Sequence, residues 1–316
     1  MPDVFINRIG SALGEQSRDM EETATLNKLL SPCDVIRGAG FARHHVCGES
    51  TTAYDLARRA VSELGPAIDE TGAIIYSTCI PANANLGATA EFERNGDVKH
   101  LMDFPASHLQ ADFGLERASV IGLTQQACTS LLGSIRLARA LLVAEPDVRK
   151  VLCVTADRFP NGAYYEQAYN LISDGAAACI VSAKREGFRV IAAHAITNGA
   201  LAQASDDETV GTYFSYIHKI INETLSKAGL TLKDIDWIVP QNTNVSAWKI
   251  LARLLPFDFD RIFLGTIADI GHIISSDNLV NLLHIDNAGK IRGGERLLLV
   301  MAGFGLNWQA LILEKV

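Results

Sequence analysis

Cys128 is the residue whose surroundings most clearly predict chemistry. It follows an apolar, strand-like run at residues 120–123 and precedes an apolar segment, residues 130–143, that predicts a mostly buried helix. A cysteine in the first turn of a buried helix lies at the positive end of the helix dipole, which favours the thiolate and lowers the pKa below its free value of about 8.5. A buried cysteine is usually an inert small apolar residue. This placement instead favours a nucleophile, and the chemistry it predicts is acyl transfer through a thioester.

The composition is that of a soluble α/β protein. With 316 residues, the chain is long enough for roughly two domain-sized units around a large core. The formal net charge is −8 and the lysines and arginines form no cluster, so no nucleic-acid partner is expected. No segment reaches the ~18 uninterrupted apolar residues of a transmembrane helix, and the N-terminus has no basic leader. We therefore expect a cytoplasmic protein without membrane contact.

The six cysteines follow neither a metal-binding nor a disulfide pattern. They stand at positions 33, 47, 79, 128, 153 and 179, with no CxxC or zinc-ligand spacing. Cys79, Cys153 and Cys179 lie within strand-like apolar runs, which predicts inert packed thiols. The pattern favours reduced thiols and no bound metal.

Strand-like and helical segments alternate along the whole chain. This alternation favours an α/β fold with largely parallel strand pairing. The strands most relevant to the site are predicted at residues 74–77, 119–123, 150–156, 176–182, 237–240, 261–264, 296–301 and 308–314.

The two halves of the chain, residues 1–185 and 186–316, share the same plan of strand, turn, helix, strand, turn, helix and hairpin. In the first half the plan includes the helix after Cys128, and in the second it includes the helix after His272. A duplicated unit of this kind predicts that Cys128 and His272 lie at equivalent helix starts and face one another.

Six short motifs occur in order along the chain. They are RGAGFARH at residues 37–44, ASHLQ followed by FGL within 106–115, QAC at 126–128, SDGAAA at 173–178, DWIVP at 236–240 and GFGLNW at 303–308. This ordered set resembles the thiolase superfamily and, within it, the β-ketoacyl-ACP synthase III branch. The resemblance implies a five-layer αβαβα fold of duplicated βαβαβαββ halves, a homodimer, and an acyl thioester on Cys128. It also implies a CoA or phosphopantetheine thioester as substrate, delivered by acyl-CoA or acyl carrier protein, and no tightly bound cofactor.

The chain departs from that family at the two positions that bind the thioester carbonyl. The family histidine that follows Val-Pro is replaced by Gln241, which is followed by Asn242, and the later family asparagine is replaced by His272. In the family this histidine and asparagine bind the thioester carbonyl of a malonyl donor during decarboxylation. Gln241 can donate a hydrogen bond but cannot carry a proton at neutral pH. A single imidazole therefore remains, in the other position.

Cys128, His272 and Asp277 together supply a thiol, a base and a carboxylate that can orient the imidazole. The set resembles a divergent group of synthase III-like acyltransferases in natural-product pathways, which carry a histidine in the asparagine position and an aspartate shortly after it. On this interpretation Cys128 takes the acyl group, and His272 then activates an alcohol, an amine or a carrier thiol. Asp277 is equally well explained as an ordinary acidic residue at a helix start.

The remaining candidate residues would line the pocket or hold the oxyanion. Gln241 and Asn242 are predicted to line the pocket, and the backbone N–H groups of Cys128 and of the turn at residues 303–305 to hold the oxyanion. That turn consists of Gly303, Phe304 and Gly305, and the family has glycine where Phe304 stands. Asp174 and Gly175 are predicted to form a structural turn beneath the site.

The sequence therefore predicts an acyltransferase of secondary metabolism that passes the acyl group from Cys128 to an oxygen, nitrogen or sulfur nucleophile, or to carbon. Two alternatives stay open. The first is a decarboxylative β-ketoacyl synthase with His272 as its only imidazole, and the second is a non-catalytic partner subunit of a heteromeric synthase.

Overall fold

The alternating segments of the sequence form a layered α/β structure. A computed structural model describes residues 3–80, 89–304 and 306–316. Within these residues the strands are β1 (Phe5–Leu13), β2 (Gln16–Asp19), β3 (Arg43–Val46), β4 (Ala73–Ser77), β5 (Ser119–Leu123), β6 (Lys150–Asp157), β7 (Glu166–Gln167), β8 (Asn170–Leu171), β9 (Gly175–Ser182), β10 (Phe188–Thr197), β11 (Trp237–Pro240), β12 (Arg296–Gly303) and β13 (Asn307–Lys315). The α-helices are α1 (Met20–Thr25), α2 (Cys33–Gly38), α3 (Ala53–Ser62), α4 (Thr89–Asn95), α5 (Pro105–Asp112), α6 (Ser130–Ala144), α7 (Asp206–Ala228), α8 (Val245–Leu254), α9 (Ile267–Ile270) and α10 (Asp277–Asn287).

A nine-stranded sheet forms the centre of the structure, in the order β11-β12-β13-β10-β1-β9-β6-β4-β5. One side of this sheet consists of β1-β9-β6-β4-β5 and the other of β10-β13-β12-β11. The two sides meet where β1 pairs with β10 through Phe5–Arg189 and Ile6–Phe188. The parallel pairs are β4–β5, β4–β6 and β11–β12, and the other pairs of this described sheet are antiparallel. The prediction of largely parallel pairing is therefore wrong. The reason is that β6–β9 and β12–β13 are joined without a crossover helix.

The two sides of the sheet have the same strand order. When the strands of the first half are numbered along the sequence, their order in the sheet is 1-5-4-2-3, which is β1-β9-β6-β4-β5. The strands of the second half follow the same order as far as 1-5-4-2, which is β10-β13-β12-β11. The remaining position is held by Ile262, which makes a single parallel bridge to Ile238. The strand predicted at residues 261–264 is thus reduced to one bridge that follows a 3₁₀ turn at Phe259–Arg261. The domain limits 1–185 and 186–316, which fall between β9 and β10, stay a prediction.

Helices lie outside and between the two sides of the sheet, giving five layers. Helix α3 covers the outer face of the first side, with Leu56 and Val61 buried against it. Helices α7 and α8 cover the outer face of the second side, with Ile220 and Trp248 buried. Helices α6 and α10 form the central layer, which both sides of the sheet cover. The candidate site residues lie at the starts of these two central helices.

Helix α6 is apolar because it is a core helix. The stretch Ala127–Ala144 is long and apolar enough to cross a membrane by length and composition, but half of it is buried inside the protein. Leu131, Leu132 and Ile135 lie in the core between the sheets. Packing in the central layer thus accounts for its composition.

Candidate active site

The turn before α6 presents Cys128. Ala127 has a φ of 45°, in the left-handed region that side-chain-bearing residues rarely adopt, and it opens a 3₁₀ turn, Ala127–Thr129. The Gln126 side chain holds this turn in place, because its Oε1 accepts a hydrogen bond from Gln309 Nε2 at 2.6 Å. A Cβ on Gly133 would lie 1.8 Å from Gln126 Oε1, so any larger residue there would displace the Gln126 amide. The sharp turn and its supports fix the direction of the Cys128 side chain.

Cys128 is buried and contacts two polarisable groups. Its Sγ lies 3.8 Å from Sγ of Cys79, and its thiol also interacts with the His272 imidazole. The hydrogen bond from Cys79, acting against burial, together with the His272 imidazole, lowers the pKa of Cys128 to about 5. The lowered pKa favours the thiolate of Cys128 at neutral pH, and its cause is these side-chain contacts.

His272 is buried and held by both backbone and side chain. Its N–H donates to the Leu171 carbonyl at 2.8 Å, and its own carbonyl accepts from Ser173 N at 2.8 Å. Its Nδ1 donates to Asp277 Oδ2, which leaves Nε2 for the Cys128 side. Burial alone would lower the pKa of His272, but the Asp277 carboxylate and the Cys128 sulfur raise it to about 10. The pair is thus a thiolate and an imidazolium.

Asp277 is fully buried at the first position of α10 and does more than complement a helix dipole. Its Oδ2 accepts from Asn242 N at 2.6 Å and from the His272 ring, and its Oδ1 accepts from Ile273 N at 2.6 Å. Three donors hold one carboxylate, which in turn fixes the tautomer and orientation of the imidazole.

Cys128 and His272 face one another, but they are not at equivalent positions. Ile274 has a φ of 49° and opens the 3₁₀ turn Ile274–Ser276 before α10, just as Ala127 opens the turn before α6. When Ala127 is aligned with Ile274, the counterpart of Cys128 is Ser275, and His272 lies three residues before Ser275. The prediction of equivalent helix starts is wrong in register, because His272 precedes its turn whereas Cys128 lies within its own.

Gln241 and Asn242 have different surroundings. Gln241 lies on the wall of the cavity described below, and its Oε1 accepts a hydrogen bond from Ala302 N. Asn242 is fully buried, and its Nδ2 donates to Thr266 Oγ1 at 3.0 Å and to the Gly271 carbonyl at 2.7 Å. The prediction that Asn242 lines the pocket is therefore wrong. Its side chain is used within the protein, and its backbone N–H supports Asp277.

The C-terminal turn approaches the nucleophile closely. A Cβ on Gly303 would lie 2.9 Å from the backbone N of Cys128, so this position requires glycine. Phe304 lies on the cavity wall and is 38% exposed, while Gly305 lies outside the described residues. The close approach is compatible with an oxyanion pocket between Cys128 and Gly303, and that role stays a prediction.

A cavity of about 840 Å³ reaches Cys128 and His272. Its wall is rich in aromatic side chains, namely Phe159, Tyr164, Tyr169, Tyr213, Phe214, Phe304 and Trp308. Apart from Cys128, Cys79, His272 and the tyrosines, Glu166 is the only titratable side chain among the described lining residues, and its Oε2 accepts from the backbone N–H groups of Leu30 and Ser31 at 2.7 Å. The cavity therefore offers an apolar, aromatic environment to whatever it binds.

Four further polar residues support the site and are missing from the sequence prediction. Cys79, expected to be inert, contacts the nucleophile, and Asp157 holds the turn that carries Cys79. Thr266 and Asn281 complete the buried network around Asn242. Two signals were present in the sequence: Asp157 is an acidic residue at the end of an apolar strand, and Asn281 is a polar residue within an apolar helix.

The remaining predictions concern structural support and metal binding. Asp174 accepts hydrogen bonds from Cys47 N at 2.8 Å, Phe159 N at 2.7 Å and Tyr165 Oη at 3.1 Å, consistent with a structural turn. Across residues 3–80, 89–304 and 306–316, no three His, Cys, Asp or Glu side chains group in a way that could hold a metal ion.

Comparison with solved structures identifies the fold class. The β-ketoacyl-[acyl-carrier-protein] synthase III (FabH) of Thermus thermophilus superposes with a TM-score of 0.84 at 22% identity, covering 99% of both chains. ChlB3, described as an acyltransferase, superposes with a TM-score of 0.83 at 19% identity, covering 100% of this chain and 98% of its own. At these identities the likeness shows the fold, and the fold is that of the thiolase superfamily.

Sequence comparison then gives the family. The model for 3-oxoacyl-[acyl-carrier-protein (ACP)] synthase III matches residues 124–199, and the model for the C-terminal part of the same family matches residues 225–315. The two matches together span more than half of the chain. The β-ketoacyl-[acyl-carrier-protein] synthase III of Chlamydia caviae is 26% identical over 289 residues, covering 82% of this chain and 80% of its own length. The chain belongs to the 3-oxoacyl-[acyl-carrier-protein] synthase III family.

Proposed function

We propose that this protein is an acyltransferase that forms an acyl thioester on Cys128 and passes the acyl group to a second substrate. The observation that carries the proposal is that Cys128 and His272 lie on the wall of one cavity, with Asp277 buried behind the imidazole. A thiolate, an imidazolium and an orienting carboxylate are the groups that a two-step acyl transfer needs. The acyl donor would be acyl-CoA or an acyl carrier protein, with no tightly bound cofactor.

In the first step the Cys128 thiolate attacks the donor thioester carbonyl, and the carbon–sulfur bond to the donor breaks. The imidazolium of His272 gives its Nε2 proton to the departing thiolate, so the donor leaves as a free thiol. Because the Cys128 charge disappears into the thioester, His272 loses a group that raises its pKa. The product of the step is an acyl-enzyme with a neutral imidazole beside it.

In the second step that neutral imidazole serves as the base. It takes the proton from an alcohol, an amine or a thiol as this group attacks the acyl-Cys128 carbonyl. Cys128 leaves as a thiolate and the starting ion pair is restored, so the protons balance over one turnover. The backbone N–H groups of Cys128 and Gly303 would hold the oxyanion in both steps.

The second candidate function is β-ketoacyl synthesis with loss of carbon dioxide, which the names of the sequence relatives favour. In that chemistry the family uses two carbonyl-binding side chains, a histidine and an asparagine. Here Gln241 stands in the histidine position; its Oε1 accepts from Ala302 N and its Nε2 can still donate, but it cannot carry a proton at neutral pH. A single imidazole paired with a buried carboxylate supports transfer to a heteroatom instead. The same pairing argues against the third candidate, a non-catalytic partner subunit.

The cavity supports an apolar acyl group and an uncharged acceptor. Its described lining combines aromatic and uncharged polar side chains, and apart from the site itself its only acidic or basic side chain is Glu166, which already accepts two backbone hydrogen bonds. A charged substrate group would lose its hydration there without gaining an oppositely charged partner. We infer that the phosphate groups of the donor stay outside the cavity and that the acceptor resembles the hydrophobic intermediates of fatty-acid, polyketide or other secondary metabolism.

We also propose a homodimer that works in the cytoplasm. Strand β5 is the edge of the sheet and is partly exposed, with Val120 42% exposed. Leu101, Met102 and Phe104 are also exposed large apolar side chains, in the segment just before α5. A free edge and exposed apolar residues of this kind favour pairing with a second copy.

Intact-mass spectrometry after incubation with a panel of acyl-CoAs tests the proposal. We expect a single acyl adduct on Cys128 that disappears when an acceptor alcohol, amine or thiol is added. No adduct with any donor would indicate the non-catalytic subunit. Release of carbon dioxide when malonyl carrier protein meets the acyl-enzyme would indicate the condensing enzyme.

The variant His272→Ala separates the two steps. We expect slow self-acylation and no transfer, because the base for the second step is missing. The matched control is His218→Ala, which removes an exposed imidazole on α7. Normal turnover by His272→Ala would show that the base is misassigned.

A further inference from the structure

Cys79 brings a second thiol to the nucleophile. It follows β4 by two residues, and its Sγ lies 3.8 Å from Sγ of Cys128, within range of a hydrogen bond between sulfur atoms. Both thiols lie on the wall of the same cavity. The acyl-transfer scheme above gives Cys79 no role, so its contact with the reacting atom has to be explained.

A buried carboxylate holds Cys79 in this position. Asp157, which is 2% exposed at the end of β6, accepts through one oxygen from Thr78 Oγ1 at 2.6 Å, from Cys79 N at 2.8 Å and from Ile80 N at 3.1 Å. Three donors from three consecutive residues wrap one carboxylate oxygen. This fixes the turn and aims the Cys79 side chain at Cys128.

The charges around the pair decide which thiol donates. Two thiolates cannot coexist at this distance in a buried site, so only one of the two ionises. Cys128 faces the His272 imidazolium, which Asp277 stabilises, whereas Cys79 lies beside the carboxyl of Asp157, which disfavours a second negative charge. Cys128 is therefore the thiolate and Cys79 the S–H donor. In agreement, the hydrogen bond to Cys128 and burial raise the pKa of Cys79 above its ordinary value.

We propose that Cys79 is a second functional thiol, whose S–H donates a hydrogen bond to the Cys128 sulfur and holds that nucleophile charged and correctly aimed in the free enzyme. The inference rests on the proposed function, because it gives Cys128 the role of nucleophile. When Cys128 becomes acylated the charge is gone and the hydrogen bond weakens, so Cys79 acts on the free enzyme and on the departing thiolate of the second step.

The proposal predicts a pH profile that a purely structural role would not produce. Without the donor, the pKa of Cys128 rises, so less thiolate is present in mild acid. The remaining thiolate is intrinsically more nucleophilic, since reactivity increases with basicity with a Brønsted coefficient of about 0.4–0.5. For each unit of increase in pKa, the reaction therefore becomes about threefold slower in acid and about threefold faster in alkali. The profiles of variant and wild type must cross.

The experiment measures the rate of Cys128 alkylation by iodoacetamide as a function of pH, with the Cys128 peptide quantified by mass spectrometry. We expect Cys79→Ala to cross the wild-type profile and Cys79→Ser, which keeps a donor, to restore it. The matched control is Cys179→Ala, which removes a buried thiol paired with Cys153 across β6 and β9. Should Cys79→Ala fail to fold, Cys79→Val fills the same space without a donor.

Two results would overturn the proposal: an unchanged profile in Cys79→Ala, or a rate lowered by the same factor at every pH. Iodoacetamide needs no acyl donor, so this test is separate from the test of function. Crossing profiles together with no acyl adduct would retain the Cys79 hydrogen bond and reject the acyltransferase. Normal acyl transfer together with identical pH profiles would retain the acyltransferase and reject the Cys79 hydrogen bond.

Discussion

Asp277→Asn is the substitution whose outcome the structure specifies most fully. The carboxylate accepts from Asn242 N and Ile273 N, both at 2.6 Å, and from Nδ1 of His272. An asparagine has one acceptor oxygen, so at least one of these buried donors must face an NH₂ group. A buried unsatisfied donor costs about 1–3 kcal/mol, and loss of the charge beside an imidazolium adds to it. We expect a loss of about 3 kcal/mol in the free energy of unfolding.

The effect on chemistry is larger, because the imidazole changes its tautomer. Facing an amide N–H, Nδ1 of His272 becomes an acceptor and the proton moves to Nε2, where the second step needs a lone pair. The corresponding change in Ser-His-Asp triads costs about 10⁴-fold, and we expect transfer from acyl-Cys128 to slow by about 10³-fold or more.

The thiolate should be less stable as well. Without the Asp277 carboxylate the His272 imidazolium is less stable, so Cys128 loses part of the interaction that lowers its pKa, while the hydrogen bond from Cys79 remains. Each unit by which the pKa of Cys128 rises slows its alkylation below about pH 5 about threefold.

The assays are thermal unfolding, single-turnover transfer from pre-formed acyl-enzyme, and alkylation of Cys128. Asp269→Asn is the control, since it makes the same change at an exposed aspartate in the neighbouring helix α9. If folded Asp277→Asn transferred its acyl group at the wild-type rate, Asp277 would be only a helix-start charge and the reasoning would be refuted.

Three further predictions concern the nucleophile and its supports. In the wild type, alkylation of Cys128 should stay fast as the pH is lowered and fall only below about pH 5, because the thiolate stays populated at every pH above its lowered pKa. A midpoint of the pH profile near about 8.5 would contradict the ion pair. Gly303→Ala places a Cβ 2.9 Å from Cys128 N and displaces an oxyanion donor, so we expect acylation, measured by mass spectrometry, to slow by about 10²–10³-fold. A fully active variant would argue against the oxyanion role. Gly133→Ala places a Cβ 1.8 Å from Gln126 Oε1 and should cost about 1–3 kcal/mol in chemical denaturation while also slowing acylation; an unaffected variant would show that Gln126 does not support the turn.

The sequence predicts the parts of the site that local patterns determine. Cys128 was identifiable because a strand-like run ends in a turn just before a long apolar helix, and that position alone favours a thiolate. Asp277 was identifiable as a candidate because it follows His272 by five residues and begins a helix. The strand order could not be read in the same way, because it depends on which segments return as hairpins, and the expectation of parallel pairing failed for that reason.

Contacts between distant segments were not predictable from the sequence. Cys79 and Cys128 are 49 residues apart, and their contact depends on the turn that Asp157 fixes. Asn242 follows a strand, where a polar side chain often faces a pocket. The direction of its side chain is instead set by Thr266 and Asn281, which belong to other elements. A polar residue at a strand end can line a site or support it, and only its partners decide between the two.

The alignment of the two central turns explains why the proposed nucleophile and the proposed base come from different halves of the chain. Each turn opens with a side-chain-bearing residue at positive φ, Ala127 in one half and Ile274 in the other, and each such residue costs about 1–3 kcal/mol. The two turns stabilise one another, because Ser275 Oγ donates to the Ala127 carbonyl at 3.2 Å and lies 2.9 Å from Ser130 Oγ. Ser275 is the counterpart of Cys128, so the second half uses this position to support the first turn rather than for chemistry. The proposed base therefore comes from outside the turn. His272 meets that requirement because its backbone, hydrogen-bonded to Leu171, holds it within reach of the Cys128 sulfur.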